Sequence, residues 1–243
     1  MPEQVGDIAR LVAASSVIID ATVSQLQISN EPTVSANERL VVAQVDKVLR
    51  AGPALSKLAG QAVTIELATG YRPQVGERVI FFTNGLVYGT QVVLREIGHR
   101  EGTAQSEKEV TAAIESLPIR HLESRLETAD FVVVGRVKHV RPSGLKEPTS
   151  FHSPKWMIAD VNVTHWLKGK PSDGEIAVLF PSAHDVLWAG APRFHQGEEG
   201  IFLLRKGYRK WGAPPEAQSA LDAADFQPMD TLSHIRSLLR QNQ

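Results

Sequence analysis

The chain has 243 residues, of which 42% are hydrophobic and 22% are charged, as is typical of a soluble globular protein. Its 26 Lys and Arg residues stand against 27 Asp and Glu residues, and this lack of a basic excess argues against nucleic acid as the partner. It contains no cysteine, which excludes disulfides, thiolate metal sites and cysteine nucleophiles.

The first half of the chain predicts a helix, five strands and a second helix. Hydrophobic residues at helical spacing favour a helix over Val5–Ser15. Ser106 and Glu109 have the spacing of a capping box, so a helix should begin there and stop near Pro118. Apolar runs separated by turn residues predict the strands Val17–Val23, Leu40–Leu49, Val63–Leu67, Val79–Thr83 and Gln91–Ile97.

The second half predicts the same elements in the same order. A helix around Ile119–Thr128 comes first, and a helix over Pro228–Leu239 comes last. A fifth strand is expected near Tyr208–Ala213, where the match between the halves is poorest. The other four strands are predicted at Phe131–Val140, Trp156–Leu167, Ile176–Phe180 and Gly200–Leu204.

The two halves also match in sequence. Residues 16–23, SVIIDATV, correspond to residues 130–137, DFVVVGRV, and residues 76–82 correspond to residues 197–203. The offset between matched residues changes only in the connections, so the second connection of the second copy is five residues shorter and the third is eight residues longer. Loops are where two copies of one fold should differ. We therefore predict two tandem modules, residues 1–117 and 118–243.

Five strands in each copy predict a mostly β fold with flanking helices, built from two tandem five-stranded OB-like β-barrels. A small residue, Ala21 or Gly135, occupies the same place in the first strand of each copy, where a barrel strand must coil tightly. On the second strand of the second copy, Met157, Ala159, Val161, Val163 and Leu167 should face inward, as should Val41, Ala43, Val45 and Leu49 in the first copy. On the first strand of the first copy the inward row is Val17, Ile19, Ala21 and Val23.

Three stretches carry a resemblance to a known group. They are Ala129–Val137, the long strand that ends at Trp166–Gly169, and Gly197–Leu203. Together they resemble the netrin-like, tissue-inhibitor-of-metalloproteinases-like OB-fold domain. The resemblance implies the fold, but inhibitors of that group use an N-terminal cysteine amine and carry disulfides. This chain has no cysteine, so their mechanism is not expected here.

The enlarged third connection of the second copy, Pro181–Gln196, holds the densest cluster of polar and aromatic residues. The candidates for binding in it are His184, Asp185, Trp188, Arg193 and His195. One interpretation is a binding loop at the barrel mouth, with Trp188 as its aromatic anchor and Arg193 as a polar contact. In the alternative, Trp188 and Phe194 fold back to cap the barrel and the histidines are solvated.

Metal and catalytic interpretations of this loop are weak. His184 and His195 are too far apart in sequence to form the close histidine pair of a zinc site, even with Asp185 beside them. Ser182, His184 and Asp185 are too close in sequence to converge as a hydrolytic triad. No phosphate-cradling glycine motif occurs in the chain, so we predict no metal and no cofactor.

Two further patterns concern the surface of the second copy. Trp156 and Trp166 share the predicted outward row of one strand, and an apolar row of this kind needs a cover. The cover is either a helix of the module or the other barrel, or else a protein partner or a second copy. Two basic runs, residues 168–170 and 205–210, are interpreted as solvated turns, with contact to an anion or nucleic acid as the alternative.

These patterns favour a non-enzymatic structural, adaptor or assembly protein that binds protein partners, or itself, through barrel loops and outward aromatic rows. The alternative is an OB-type ligand-binding module for single-stranded nucleic acid or oligosaccharide. A third interpretation is a hydrolase that uses the Ser182–His195 loop. No apolar run is long enough to span a bilayer, and no signal-peptide pattern is present, so a cytoplasmic location is expected. A removed export signal would leave no trace in this sequence.

Overall fold

The computed structural model describes residues 5–88, 91–145, 154–169, 174–182, 188, 190–206 and 217–241. Among these residues no helix is long and apolar enough to cross a membrane. The chain divides into two compact units, Met1–Leu117 and Pro118–Gln243.

The first unit is a closed barrel of five strands. They are β1 Val17–Leu26, β2 Leu40–Arg50, β3 Ala62–Glu66, β4 Arg78–Tyr88 and β5 Gln91–Glu101. The strands are hydrogen-bonded in the order β1-β2-β3-β5-β4, and β4 pairs back onto β1. Strands β3 and β5 are parallel, whereas the other neighbours are antiparallel. A closed five-stranded barrel with this strand order, in which β5 lies between β3 and β4, has the OB-like architecture.

The inner face of the first barrel follows the alternation of its strands. The inward residues of β1 are Val17, Ile19, Ala21 and Val23, as predicted, and those of β2 include Val41, Ala43 and Val45. Helix α1, Val5–Ala14, covers the outside of the barrel, where Ile8, Leu11 and Val12 are buried. Leu49 was expected inside the barrel but packs in this outer cluster instead. Register shifts between β1 and β2 explain the change, because each shift moves the following side chains to the other face.

Helix α2, Ala104–Thr128, corrects the prediction of two helices separated at Pro118. The helix continues through this proline, which lies in its interior. A proline there removes one backbone hydrogen bond and normally bends or ends a helix. Buried residues on both sides of Pro118 offset that loss, since Val110 packs in the first unit and Leu122 and Leu126 pack in the second.

The second unit repeats the arrangement. Its strands are β6 Phe131–Pro142, β7 Lys155–Lys168, β8 Glu175–Ser182, β9 Glu199–Lys206, β10 Gln218–Ser219 and β11 Phe226–Gln227. Strand β10 pairs with both β8 and β9, so β6 to β10 form a ring, and β8 and β10 are parallel as β3 and β5 are. The prediction of a mostly β fold with two five-stranded OB-like barrels is confirmed. The expected fifth strand, Tyr208–Ala213, lies outside the described residues.

The second barrel has an aromatic interior and a helical cover on one side. Phe180, Phe194, Phe202 and Phe226 contact one another, with ring centroids 5.0 to 5.3 Å apart. On the outside, helix α3, Leu232–Gln241, and the end of α2 bury the outward residues of β6 and β9. These strands therefore have an apolar residue on both faces, as a strand buried on both sides requires.

Gly135 lies where the first strand of the second barrel passes close to the neighbouring strand β7. A Cβ atom at this position would lie 2.6 Å from Val161 Cγ1 and 2.7 Å from the carbonyl oxygen of Asn162. We expect Gly135→Ala to lower the free energy of unfolding by about 1–3 kcal/mol, because the barrel must shift to admit the methyl group. Urea denaturation followed by circular dichroism measures this loss. Gly190→Ala is the control, since a Cβ there would meet no atom within 4 Å. Equal unfolding midpoints for the two variants would contradict the prediction.

Candidate ligand site at the end of the second barrel

The candidate site lies where β7 runs past the start of β8. Strand β8 pairs with β7 only between Lys155 and Asn162, whereas β7 continues to Lys168 alongside β6. A cavity of about 720 Å³ opens at this end of the barrel. It is lined by Asp130, Phe131, Asp160, Trp166, Gly169, Glu175, Ile176, Ala177, Lys206 and Gln218.

Two aromatic rings and one ammonium group form one wall of the cavity. The rings of Phe131 and Trp166 meet edge to face, with centroids 6.0 Å apart, and both side chains are half-buried against the barrel interior. The Lys206 ammonium lies 5.6 Å from the centroid of the Phe131 ring. The backbone N–H of Lys206 donates to the Asp130 carboxylate at 2.8 Å, which fixes where the lysine leaves β9. An exposed cation beside aromatic faces can contact an anionic group on a ligand that stacks there.

Two carboxylates on the opposite wall are already engaged by cations. Arg141 donates to Asp160 through Nε at 2.9 Å and Nη2 at 3.1 Å. Lys138 Nζ donates to Glu175 at 2.6 Å, and this hydrogen bond raises the pKa of Lys138 above its ordinary value. These pairs balance the charge of Asp160 and Glu175. The cavity wall is therefore less acidic than its lining residues suggest.

The corresponding end of the first barrel is filled by its own chain. The connection from β2 to β3 contains a short 3-10 helix, Pro53–Leu55, and Leu55 and Leu58 pack against the barrel core. The corresponding connection of the second unit, from β7 to β8, is five residues shorter. In the alignment of the two copies, Leu167 corresponds to Leu49, and Trp166 therefore corresponds to Val48 of the first copy. The cavity wall therefore differs between the copies at this position.

Trp166 does not occupy its predicted position. It was expected to share an outward row with Trp156, but it packs among the residues of the barrel interior. The register of β6 and β7 shifts between Val134 and Gly135, which pair with His165 and Val163. The extra residue reverses the faces of β7 beyond it, so Trp166 points inward and Leu167, predicted inward, packs on the helical side.

Trp156 is on the outer face, as predicted, and another tryptophan covers it. It packs with Ile158 and Leu179 beneath Trp188, and the Trp156 and Trp188 rings meet at 71° with centroids 5.5 Å apart. Leu145, Ala217 and Leu221 also pack in this cluster. Trp188 packs in this outer cluster, whereas Phe194 packs in the barrel interior.

The remaining loop candidates are at the surface or outside the described residues. Arg193 and His195 are exposed, and the His195 backbone N–H donates to Glu198 at 2.9 Å. His184 and Asp185, which are two members of the hypothetical hydrolytic triad, lie outside the described residues. In the part of the chain that the structure describes, no three His, Cys, Asp or Glu residues are grouped to hold a metal ion. A binding role for this loop stays a prediction.

A second polar cavity, of about 530 Å³, lies in the first unit. The buried carboxylate of Glu96 is 2.6 Å from His99 Nδ1 and accepts the Ala68 N–H at 2.9 Å. The His99 ring stacks on Tyr71 with centroids 3.4 Å apart. Burial and a hydrogen bond to Glu77 raise the pKa of Tyr71 above its ordinary value. No sequence motif marks these residues, and their contacts fasten the β3–β4 connection to β5.

Comparison with known proteins adds little. No family model and no curated protein matches the chain, so the OB-like architecture stands without support for the netrin-like family. A solved structure, "Crystal structure of Ifi202 HINa domain in complex with 20bp dsDNA", matches with 11% identity and a TM-score of 0.21. The match covers 85% of this chain and 92% of that chain. A TM-score this low carries no argument about the ligand of this chain.

The matched structure is a complex with DNA, which stands against the prediction that nucleic acid is an unlikely partner but assigns no ligand to this chain. The charge argument behind it was also too coarse. Residues 118–243 hold 16 of the 26 Lys and Arg residues but 14 of the 27 Asp and Glu residues, so this unit carries a small basic excess. The first unit carries the opposite excess, and the whole-chain total conceals both. The cavity lies in the basic unit.

Proposed function

We propose that the chain is an OB-type ligand-binding module whose second barrel binds single-stranded nucleic acid in the cavity at the end of β7. The observation that carries the proposal is the wall formed by Phe131, Trp166 and Lys206. OB barrels bind oligonucleotides with the face of their second and third strands and with adjacent loops. Strands β7 and β8 are the second and third strands here, and both line the cavity.

The chemistry of the wall suits a strand of nucleotides. Every base has a π-face, so stacking on an aromatic side chain binds single strands without regard to sequence, at about 1–3 kcal/mol per base. Lys206 supplies a positive charge for a phosphate next to the stacked base. Arg205 and Lys168 lie at the same end of the barrel and add positive charge, with Lys168 held by the carbonyl oxygens of Leu126 and Glu127.

Oligosaccharide is a second candidate, and a specific observation favours it. The Asp130 carboxylate and the Gln218 amide line the cavity together with Trp166. Acceptors of this kind bind sugar hydroxyls, and the Trp166 ring offers a flat apolar surface to a sugar ring. The two candidates differ in charge, and the effect of salt on binding therefore separates them.

Lys206→Gln tests the nucleic-acid proposal through salt dependence. We expect a fluorescein-labelled oligothymidylate to bind more weakly as salt rises from about 50 to about 200 mM. The variant should bind more weakly still, and its slope of log affinity against log salt should be smaller by about one. Fluorescence anisotropy measures both quantities.

The control is Lys57→Gln, an exposed lysine of the first unit that should leave the slope unchanged. An absence of oligothymidylate binding at the lower salt concentration would overturn the proposal. Salt-independent binding of a neutral hexasaccharide, lost in Trp166→Ala, would establish the oligosaccharide candidate in its place.

A further inference from the structure

The outer face of β7 and β8 is covered at Trp156, Ile158 and Leu179, which limits how far a ligand can extend in that direction, whereas Asn162 and Thr164 are exposed. Trp156 is 6% exposed, Ile158 is 1% exposed and Leu179 is fully buried. Trp188 and Ala217 lie over them. In an OB barrel this face is the path that a bound strand follows. Here only the stretch at Asp160 and Ala177 lines the cavity.

The inner end of the cavity is closed as well. Phe131, Trp166 and Ile176 belong to the aromatic and aliphatic cluster of the barrel interior. Behind them Val161 and Phe202 are fully buried. A strand can enter at the barrel mouth but cannot pass through a core packed at this density.

The volume of the cavity fits a short ligand. About 720 Å³ is within the range of pockets that hold one small molecule, roughly 300–1,000 Å³. A groove for a continuous strand, by contrast, spans about 4–16 nucleotides for each OB-fold. The cavity is too small for that footprint.

We infer that the cavity receives the terminus of a nucleic-acid strand, or a free mono- or dinucleotide, in place of a strand that continues in both directions. This inference rests on the proposed function. The terminal base stacks on Trp166 inside the cavity, and its phosphate stays at the mouth near Lys206. The covered part of the outer face excludes the rest of the strand from Trp156, Ile158 and Leu179.

The test compares strand length and strand ends in the full chain. Thymidylates of about 2, 4, 8 and 16 nucleotides, spanning the site sizes of OB-folds, compete with a labelled oligothymidylate in an anisotropy assay. We expect affinity to change by less than about threefold beyond the dinucleotide, because added nucleotides gain no contacts. A circular strand of the longest length, which has no terminus, should bind at least about tenfold more weakly than its linear form.

The outcomes distinguish a failure of the terminus inference from a failure of the proposed nucleic-acid binding. Affinity that rises more than about tenfold between the dinucleotide and the octanucleotide, or equal affinity for circular and linear strands, would overturn the terminus inference and leave nucleic-acid binding intact. A failure of every strand to bind would overturn both. Trp166→Ala should abolish competition by the dinucleotide, which would tie the short ligand to this cavity and not to the basic surface.

Discussion

Replacing Trp166 by alanine is expected to weaken oligonucleotide binding by about tenfold or more. Stacking of a base on an aromatic side chain is worth about 1–3 kcal/mol, and each 1.4 kcal/mol corresponds to a tenfold change in affinity. Trp166 is the largest ring in the cavity wall, and its contact with Phe131 holds that ring in place as well. Fluorescence anisotropy with a labelled oligothymidylate measures the loss.

Trp166 also packs against the barrel interior, so a loss of binding must be separated from a loss of folding. Trp166→Phe keeps an aromatic face and should retain most of the affinity. Val48→Ala removes the corresponding side chain of the first barrel, which also packs against a core, and should leave binding unchanged. Circular dichroism confirms that each variant is folded. Wild-type affinity in a folded Trp166→Ala variant would refute the assignment of this ring to the site.

Replacing Arg125 by methionine is expected to destabilise the second unit by about 3–5 kcal/mol. Arg125 donates to the carboxylate of Asp225 through Nε at 2.7 Å and through Nη2 at 2.5 and 2.6 Å. The Asp225 side chain is 1% exposed, and the Arg125 side chain is 15% exposed. Removing the arginine leaves a buried carboxylate without its counter-charge, which is costly.

Asp225 also organises the segment that covers the outer face of the second barrel. It accepts the backbone N–H groups of Leu221 at 2.8 Å and Asp222 at 2.9 Å. Urea denaturation measures the loss, with Arg136→Met as the control. The partner of Arg136, Glu199, is 39% exposed, and a surface pair of this kind contributes about 0–1 kcal/mol. Equal destabilisation by the two variants would contradict the prediction.

The architecture was predictable from the sequence because it is encoded locally and then repeated. Alternation of apolar residues marks a strand, and a second copy with the same alternation, such as Phe131–Val137 after Val17–Val23, confirms the pattern. Ala21 and Gly135 are small residues at the same position of the first strand in each copy, and they mark where that strand coils. The shorter second connection was also visible in the sequence, but its effect was not. Whether a shorter connection leaves space at the end of a barrel depends on the strands around it, and the sequence does not show how those strands are arranged.

Only the tertiary structure decided where the candidate site lies. The rule of alternating faces holds while a strand ladder is regular, and the register shift at Gly135 breaks it, so Trp166 moves from the predicted outer row into the cavity wall. Phe131, Trp166 and Lys206 come from three strands that are far apart in the chain. The pairing of β6 with β7 on one side and with β9 on the other brings them together, and no short-range pattern records that pairing. The sequence by itself determined two OB-like barrels, whereas long-range strand pairing placed Phe131, Trp166 and Lys206 in one cavity wall.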